Sequence, residues 1–431
     1  MPEADKPNIL LVFSDQQHWQ AMGCMDPFFD TPNLDAFAEN SVLFERSFCT
    51  TPQCSPSRSS MFTGFYPSQT GVMGNCGAAG GGHLSQQTIG AELQDAGYKT
   101  GYFGKWHIGD DPLGNKGWTV SEKAQDDPRA EANAIKFLQE LSPQSEPFAL
   151  VVSLNNPHDI YHYREHEPAE PVANVPLSPS WEAESFAGKP PVQKQFMEED
   201  QGKNMVGKPK AQWQKYRDCY REKTRLYDQQ VGTILAELKK QGLQDSTIVI
   251  VTSDHGDMDA QHKLIFKGPF LYDQLMRVPL MIHVPEKFGS LPAQRINHLD
   301  VVNVDLVPTL REFCGLEARE SHGRSLAPLF TDAKNYQARD FVVGQYYSKQ
   351  KWVNPIRMIR TEQFKLNKHL HWEDELYDLQ VDPHELTNLA SDPEFAEMKQ
   401  ELEGKLDQWM EAHNDPFYSF EVSDRSGAPL T

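Results

Sequence analysis

Five short uninterrupted apolar runs punctuate the chain: Ile9–Phe13, Thr100–Phe103, Phe148–Leu154, Thr247–Thr252 and Leu280–Val284. A half-exposed strand alternates apolar and polar positions, because successive side chains point to opposite faces. Runs without that alternation predict strands covered on both faces, as in a parallel sheet. Between them the period lengthens. Asn33–Asn40 places Leu34, Phe37 and Ala38 at helical spacing, and Pro56 suits the first turn of a helix that Ser57–Phe62 would continue. Over Ala211–Gln241, Trp213, Tyr216, Tyr220, Tyr227, Val231, Ile234 and Leu238 recur at threes and fours, with Gly242 as a stop. Strands alternating with helices predict a layered α/β fold.

Other stretches carry weaker patterns. Pro168–Pro209 is proline-rich and weakly periodic, and is expected to be a long surface excursion that shapes a cleft. Gly77–Gly82 is expected to be a flexible loop, since no Lys-Ser/Thr follows as a phosphate loop requires. After Phe330 the pattern changes. Phe341–Tyr347 and Ile356–Leu366 predict antiparallel strands, and Pro393–Ala412 predicts a closing helix. With 431 residues the chain exceeds an ordinary single domain. The expected division is a main domain over residues 1–330 and a smaller α+β subdomain over 331–431.

Charge narrows the partners. Asp and Glu outnumber Lys and Arg 61 to 41, a formal net charge of −20. Such a surface repels nucleic-acid backbones, so an anionic ligand needs a local cationic pocket. No membrane partner is expected, because Ile9–Phe13 is too short for a signal core or a membrane span. The six cysteines, Cys24, Cys49, Cys54, Cys76, Cys219 and Cys314, show no metal-finger spacing and predict no disulfide framework. If one of them were consumed by modification, an odd number would remain, which favours a reducing compartment. A cytoplasmic location is therefore expected for this sequence, and a periplasmic or secreted one if a signal peptide has been removed.

Chemistry-bearing residues cluster at the ends of the apolar runs. Ser14-Asp15-Gln16-Gln17 follows the first, and Ser253-Asp254-His255-Gly256 closes the fourth. Carboxylates at the carboxyl ends of parallel strands face the ligand crevice of an open α/β sheet. Gly104-Lys105-Trp106-His107-Ile108-Gly109 follows the second run, and Asn156-Pro157-His158-Asp159 the third. Between the first and second runs lies Cys54-Ser55-Pro56-Ser57-Arg58. A four-position match to C-x-P-S-R arises about once in 10⁵ starts at roughly 5% usage per residue type. A loop-to-helix turn with a buried cysteine explains Pro56 but not the rest. Arg58 and Lys105, within these segments, are cations of the kind that the pocket demanded by the acidic surface would need. Lysines elsewhere, Lys263 among them, are expected to be solvated, and Trp106 to be packing.

Extended through Ser60, Thr63, Gly64 and Pro67, these segments resemble the type I, cysteine-type sulfatases of the alkaline phosphatase superfamily. Weaker similarity continues through Arg277-Val278-Pro279, Gly323-Arg324-Ser325-Leu326 and Glu375-Leu376-Tyr377-Asp378-Leu379. The resemblance implies an alkaline-phosphatase-like α/β sandwich with a large, mainly parallel central sheet. It implies that a formylglycine-generating maturation enzyme oxidises Cys54 to formylglycine. The hydrated aldehyde attacks sulfur, expels the alcohol and forms a covalent sulfo-enzyme intermediate. Collapse of the second hydroxyl then releases sulfate. Arg58 stabilises the hydrate. Asp15, Gln16, Asp254, His255 and the residue derived from Cys54 hold one divalent cation. Many relatives carry a second Asp at the Gln16 position, and some carry Asn at that of His255. Calcium is the expected ion, with manganese the alternative, because an amide oxygen and an imidazole replace harder ligands. Lys105, His158 and Lys267 bind sulfate, and His107 orients the nucleophile and takes its proton.

The substrate class expected from the resemblance is a small-molecule or oligosaccharide sulfate ester, carbohydrate above all. Tyr161, His162, Tyr163, Arg164 and His166 either contact a sugar and its acidic group or form a mobile surface loop. His162 and Arg164 are the substrate-binding candidates among them, and Asn75 and His83 are further pocket candidates. Two alternatives stay open: a phosphonate monoester or phosphodiester hydrolase of the same superfamily, and an inactive relative that only binds sulfate esters. Oligomeric state is not encoded in these patterns.

Overall fold

The computed structural model describes residues 6–109, 116–123, 125–165, 174–289 and 291–430. The strands in chain order are β1 Asn8–Asp15, β2 Val42–Phe44, β3 Ser47–Phe48, β4 Lys99–Gly104, β5 Val120–Glu122, β6 Phe148–Pro157 and β7 Thr247–Ser253. They continue with β8 Leu280–His283, β9 Gln294–Ile296, β10 Val301–Val302, β11 Val342–Lys349, β12 Trp352–Arg360, β13 Phe364–His369 and β14 Glu375–Asp378.

The apolar run of β1 divides its side chains between two cores. Ile9, Leu11 and Phe13 join Val151, Ile248 and Ile250 on one face, while Leu10 and Val12 join Leu150, Val152, Val249 and Val251 on the other. Every residue of β1 is buried, as expected of a strand covered on both sides. The eight-stranded sheet runs β5-β4-β6-β1-β7-β8-β2-β9. The helix Cys54–Thr63 covers one face through Met61 and Phe62. Asp127–Gln139 and the second half of Lys210–Lys240 cover the other. The first half of that 31-residue helix instead packs Trp213, Tyr216 and Tyr220 against the segments around the site.

Several elements differ from the sequence expectation. The fifth apolar run does join the sheet, but β8 is antiparallel to both β7 and β2. The chain leaves β7 at one edge, turns through the short helix Asp273–Met276 and re-enters from that same edge, without a crossover helix to reverse it. Ile356–Leu366 is two strands, because Thr361 turns the chain and exchanges hydrogen bonds with Phe364. The described part of the excursion contains the helices Pro179–Ala183 and Pro191–Glu199, each opened by proline. Its start at Pro168 lies outside the described residues. The segment Gly77–Gly82 is pinned: Val72 bridges Gly81, and the Ala79 N–H donates to Gln350 O (2.7 Å).

After residue 330 the order β11-β12-β13-β14 forms an antiparallel sheet, closed by Leu402, Leu406 and Met410 of the helix Ala396–Ala412. Among the described residues no helix is long and apolar enough to cross a membrane, and all six cysteines are free thiols.

Candidate active site

The neighbouring strands β4, β6, β1 and β7 are mutually parallel and end on one edge. Each delivers one residue there: Lys105 after β4, His158 after β6, Asp15 at the end of β1 and Asp254 after β7. Strand spacing of about 4.8 Å alone brings such residues within reach of one another. Gly104 makes the first delivery possible. Its φ is +103°, and a Cβ would meet the Ser153 carbonyl at 1.9 Å. That close approach lets the Lys105 N–H donate to Ser153 O (3.0 Å).

The helix Cys54–Thr63 aims its N-terminus at the same edge. Cys54 is its first residue, Ser55 N–H donates to Asn75 Oδ1 (3.0 Å), and Ser57 Oγ donates to Asp254 O (2.5 Å). Arg58, one turn after Cys54, projects beside it. Its Nε donates to Asp254 Oδ2 and its Nη2 to Asp15 Oδ2, both at 2.8 Å. Its Nη1 donates to Lys105 O (2.5 Å) and Ser153 Oγ (2.8 Å). The spacing of the pentapeptide is thus the geometry of one helical turn laid across two strand ends.

Cys54 Sγ sits at the focus. Lys267 Nζ is 2.9 Å away, His255 Nε2 3.2 Å, Asp15 Oδ1 3.5 Å and Lys105 Nζ 3.9 Å. Lys105 Nζ also pairs with Asp15 Oδ2 at 2.7 Å. Cys54, Arg58, Lys105, Asp15, Asp254, His255 and Lys267 are all buried. Removing one member of such a network strands a partner charge, at about 3–5 kcal/mol.

Burial and the Asp15 charge push the Cys54 thiol up, but Lys105, Lys267 and His255 outweigh them and hold it well below the usual thiol range. Asp15 is likewise carried well below the carboxylate range, because Lys105, Lys267 and Arg58 overcome burial. Asp254 goes the other way, raised by burial and by Asp15. His255 is raised, Asp254 overcoming burial. His158 is pushed down to about 3 by burial, reinforced by Lys105 and Lys267, so its imidazole is neutral at neutral pH.

The donors fit a divalent cation. One ligand atom each of Asp15, Cys54, Asp254 and His255 lies within 4.8 Å of the others. Gln16 adopts a left-handed φ of 76°, its Nε2 donates to Asp257 Oδ2 (2.7 Å), and its Oε1 is buried with no protein partner. Two carboxylates, an amide oxygen and an imidazole make a mixed but mainly oxygen set.

The remaining candidates divide. His107, at φ 59°, is half-buried, with a buried Nδ1 that has no hydrogen-bond partner. His158 packs on Tyr161 (4.9 Å), which stacks on Phe266 (4.0 Å). Asn75 supports the helix start, and His83 lies against Gly109. Trp106 is packing, in the aromatic cluster with Phe62 and Tyr102. Lys263 is half-buried and donates to Glu184 O (2.6 Å), so it is not simply solvated. His162 and Arg164 are not brought to the cluster. In the 3₁₀ turn His158–Glu165, Ile160 and Tyr163 point inward three residues apart, which turns His162 (68% exposed) and Arg164 out. His166 lies outside the described residues.

Sequence reasoning missed the supports. Asp127 accepts the Asn155 and Asn156 N–H groups (2.5 and 2.8 Å), fixing the end of β6. Ser153 bridges Arg58 and Lys105 O. An Asp beside a proline at a helix start was visible, but its normal reading is a helix-terminal residue.

Comparison with known proteins places this geometry. The Sulfatase family model matches residues 7–316, and that of the C-terminal region of N-sulphoglucosamine sulphohydrolase matches 261–412. The sulfatase YidJ of Escherichia coli is 28% identical, over 97% of this chain and 90% of its own. The delta 4,5-hexuronate-2-O-sulfatase of Bacteroides thetaiotaomicron is 27% identical, over 97% and 92%. A solved sulfatase structure from Bacteroides thetaiotaomicron superposes with a TM-score of 0.89 at 26% identity, over 97% of this chain and 95% of that one. The chain belongs to the sulfatase family of the alkaline phosphatase superfamily and is a sulfuric ester hydrolase.

Proposed function

We propose that the chain hydrolyses a sulfate monoester carried by a sugar, with Cys54 matured to formylglycine as its nucleophile. The observation that carries this reading is the position of Cys54 Sγ, 2.9 Å from Lys267 Nζ and 3.9 Å from Lys105 Nζ, among the candidate metal donors. Relatives such as the hexuronate-2-O-sulfatase support the sugar. Formylglycine, as its hydrate, supplies a hydroxyl that attacks sulfur and a second hydroxyl whose collapse frees sulfate. A divalent cation held by Asp15, Gln16, Asp254, His255 and the matured Cys54, calcium before manganese, supplies Lewis acidity.

The chain's own residues do the rest. Lys105 and Lys267 neutralise the sulfate oxygens among buried side chains, where charge pairing is stronger than in bulk water. Arg58 holds Asp15 and Asp254 in place. His107, with Nδ1 unpaired, takes the nucleophile's proton. Neutral His158 donates its N–H toward the leaving side. On this reading residues 1–330 form the catalytic domain and 331–431 a subdomain that braces it.

Mass analysis of the Cys54 peptide from the native host is expected to show the aldehyde; an intact thiol would refute the mechanism. Side-by-side turnover of an aryl sulfate and a phosphonate monoester tests the reaction, because Gln16 and His255 also suit the phosphonate reading. Faster phosphonate hydrolysis would replace the proposal.

A further inference from the structure

Against the 3₁₀ turn His158–Glu165 lies a cavity of about 430 Å³ whose wall includes Tyr163, Arg164, Lys203, Lys208, Gln212 and Lys215. Among the described residues, its lining has four cations and no acidic side chain. Acids outnumber bases 61 to 41 in the chain, so bulk composition does not deliver such a wall. Cations nearby are paired: Lys210 with Glu182, Arg217 with Asp26 and Asp259, Arg221 with Glu222. Among the described residues, none of Arg164, Lys203, Lys208 and Lys215 is in a salt bridge. Lys215 Nζ donates instead to the Arg164 carbonyl (3.2 Å), tying the long helix to the 3₁₀ turn that carries His158. Four like charges around one concavity, none of them salt-bridged to a described residue, repel each other and focus a positive potential into it.

The cavity is joined to the catalytic cluster through rings. Tyr163 meets Phe266 edge-on at 5.9 Å, and Phe266 directly precedes Lys267, whose Nζ is 2.9 Å from Cys54 Sγ. Tyr163 also packs on Tyr216 at 5.1 Å. These contacts fix one wall of the cavity to the loop that holds the sulfate-binding lysine.

We infer that this cavity is an accessory anion site, which takes a second sulfate or a carboxylate on an oligosaccharide that continues beyond the sugar bearing the scissile sulfate. Arg164 and the lysines supply charge, and Gln212 supplies a donor and an acceptor for sugar hydroxyls. The inference rests on the sugar-sulfate reading above and narrows it: the substrate is polyanionic, and its second charge sets specificity. Isolated surface cations contribute little, but several converging on one group contribute affinity that falls with salt.

The test is calorimetric binding of a heparin-derived tetrasaccharide to the full chain, with unsulfated chitotetraose as control and turnover of 4-nitrophenyl sulfate followed in parallel. The sulfated probe is expected to bind at least about tenfold more tightly than chitotetraose, with affinity falling as salt rises. Lys203→Gln/Lys208→Gln is expected to remove that preference, and Lys208→Glu, a single charge reversal at an exposed position, serves as a second variant if the first does not fold. Equal binding of both probes, or a preference that survives the folded variants, overturns the inference. A preference that these substitutions abolish, in a protein that hydrolyses no sulfate ester, keeps the anion site and overturns the catalytic reading instead.

Discussion

Arg58 spans four partners at once: Asp15, Asp254, the Lys105 carbonyl and Ser153 Oγ. Lysine keeps the charge but is a single point donor and cannot fork between two carboxylates. Arg58→Lys is expected to lower kcat/KM on a sulfate ester by about 100-fold or more, as one buried carboxylate loses its partner. Steady-state kinetics check it, with the thermal midpoint expected to fall in parallel. Gln16 gives a second expectation, readable without turnover. If its unpaired Oε1 serves a cation, a chelator lowers the thermal midpoint, and calcium or manganese restores it by mass action. Gln16→Ala should need more cation for the same recovery; an unchanged requirement would remove Gln16 from the ligand set. Cys54 and Arg58 were legible in the chain because their spacing is local, one helical turn. Asp127 and Ser153 were not, since their roles depend on contacts with Asn155, Asn156 and Arg58 that no short pattern encodes.

At the scale of elements, the tip of the β11–β12 hairpin braces the site from the smaller subdomain. Ser348 O accepts from Gln53 Nε2 (2.5 Å), the residue before Cys54, and Ser348 Oγ donates to Ala79 O (2.5 Å). Lys349 Nζ donates to Gln201 Oε1 (2.7 Å) and Lys267 O (3.3 Å) and pairs with Asp200 (3.1 Å). One turn therefore holds the approach to the nucleophile, the glycine-rich segment and the lysine loop. Lys349→Met is expected to lower kcat by about tenfold with KM little changed, because it loosens the carrier of Lys267 without touching substrate. A raised KM with intact kcat would instead give Lys349 a binding role. The strands of the central sheet were readable from their apolar runs, because burial on both faces leaves a periodic signature. The pinning of Gly77–Gly82 was not: its partners in the smaller subdomain, Ser348 and Gln350, lie about 270 residues away, and glycine reports only permissive backbone.

Across the whole molecule, stability toward acid should be governed by histidines buried where parts of the chain meet. His262, on the loop before Lys267, stacks on Tyr272 at 4.0 Å, and its Nδ1 lies 2.8 Å from Glu184 and 3.2 Å from Lys189 of the excursion. Burial pushes it down to about 4, against the pull of Glu184. His322, packed beside His413 of the closing segment at 4.6 Å, is also pushed down to about 4 by burial and by that neighbour. The folded form thus keeps both rings neutral where the unfolded chain, titrating near 6.5, takes up protons. Their contribution is fully present above pH 6.5 and is lost as pH falls toward 4, about 3 kcal/mol for the fully buried His262. A second effect opposes it: with a net charge of −20 and a pI near 5.2, acidification first relieves self-repulsion. That relief is common to the wild type and to His262→Gln, so the difference between the two isolates the buried ring. Urea unfolding from pH 7.5 to 4 is expected to show the wild type losing stability relative to the variant only below 6.5, by an amount that grows until pH 4. A constant difference across that range would mean that His262 does not titrate with folding, and that the junction it joins is not the acid-sensitive point of the molecule.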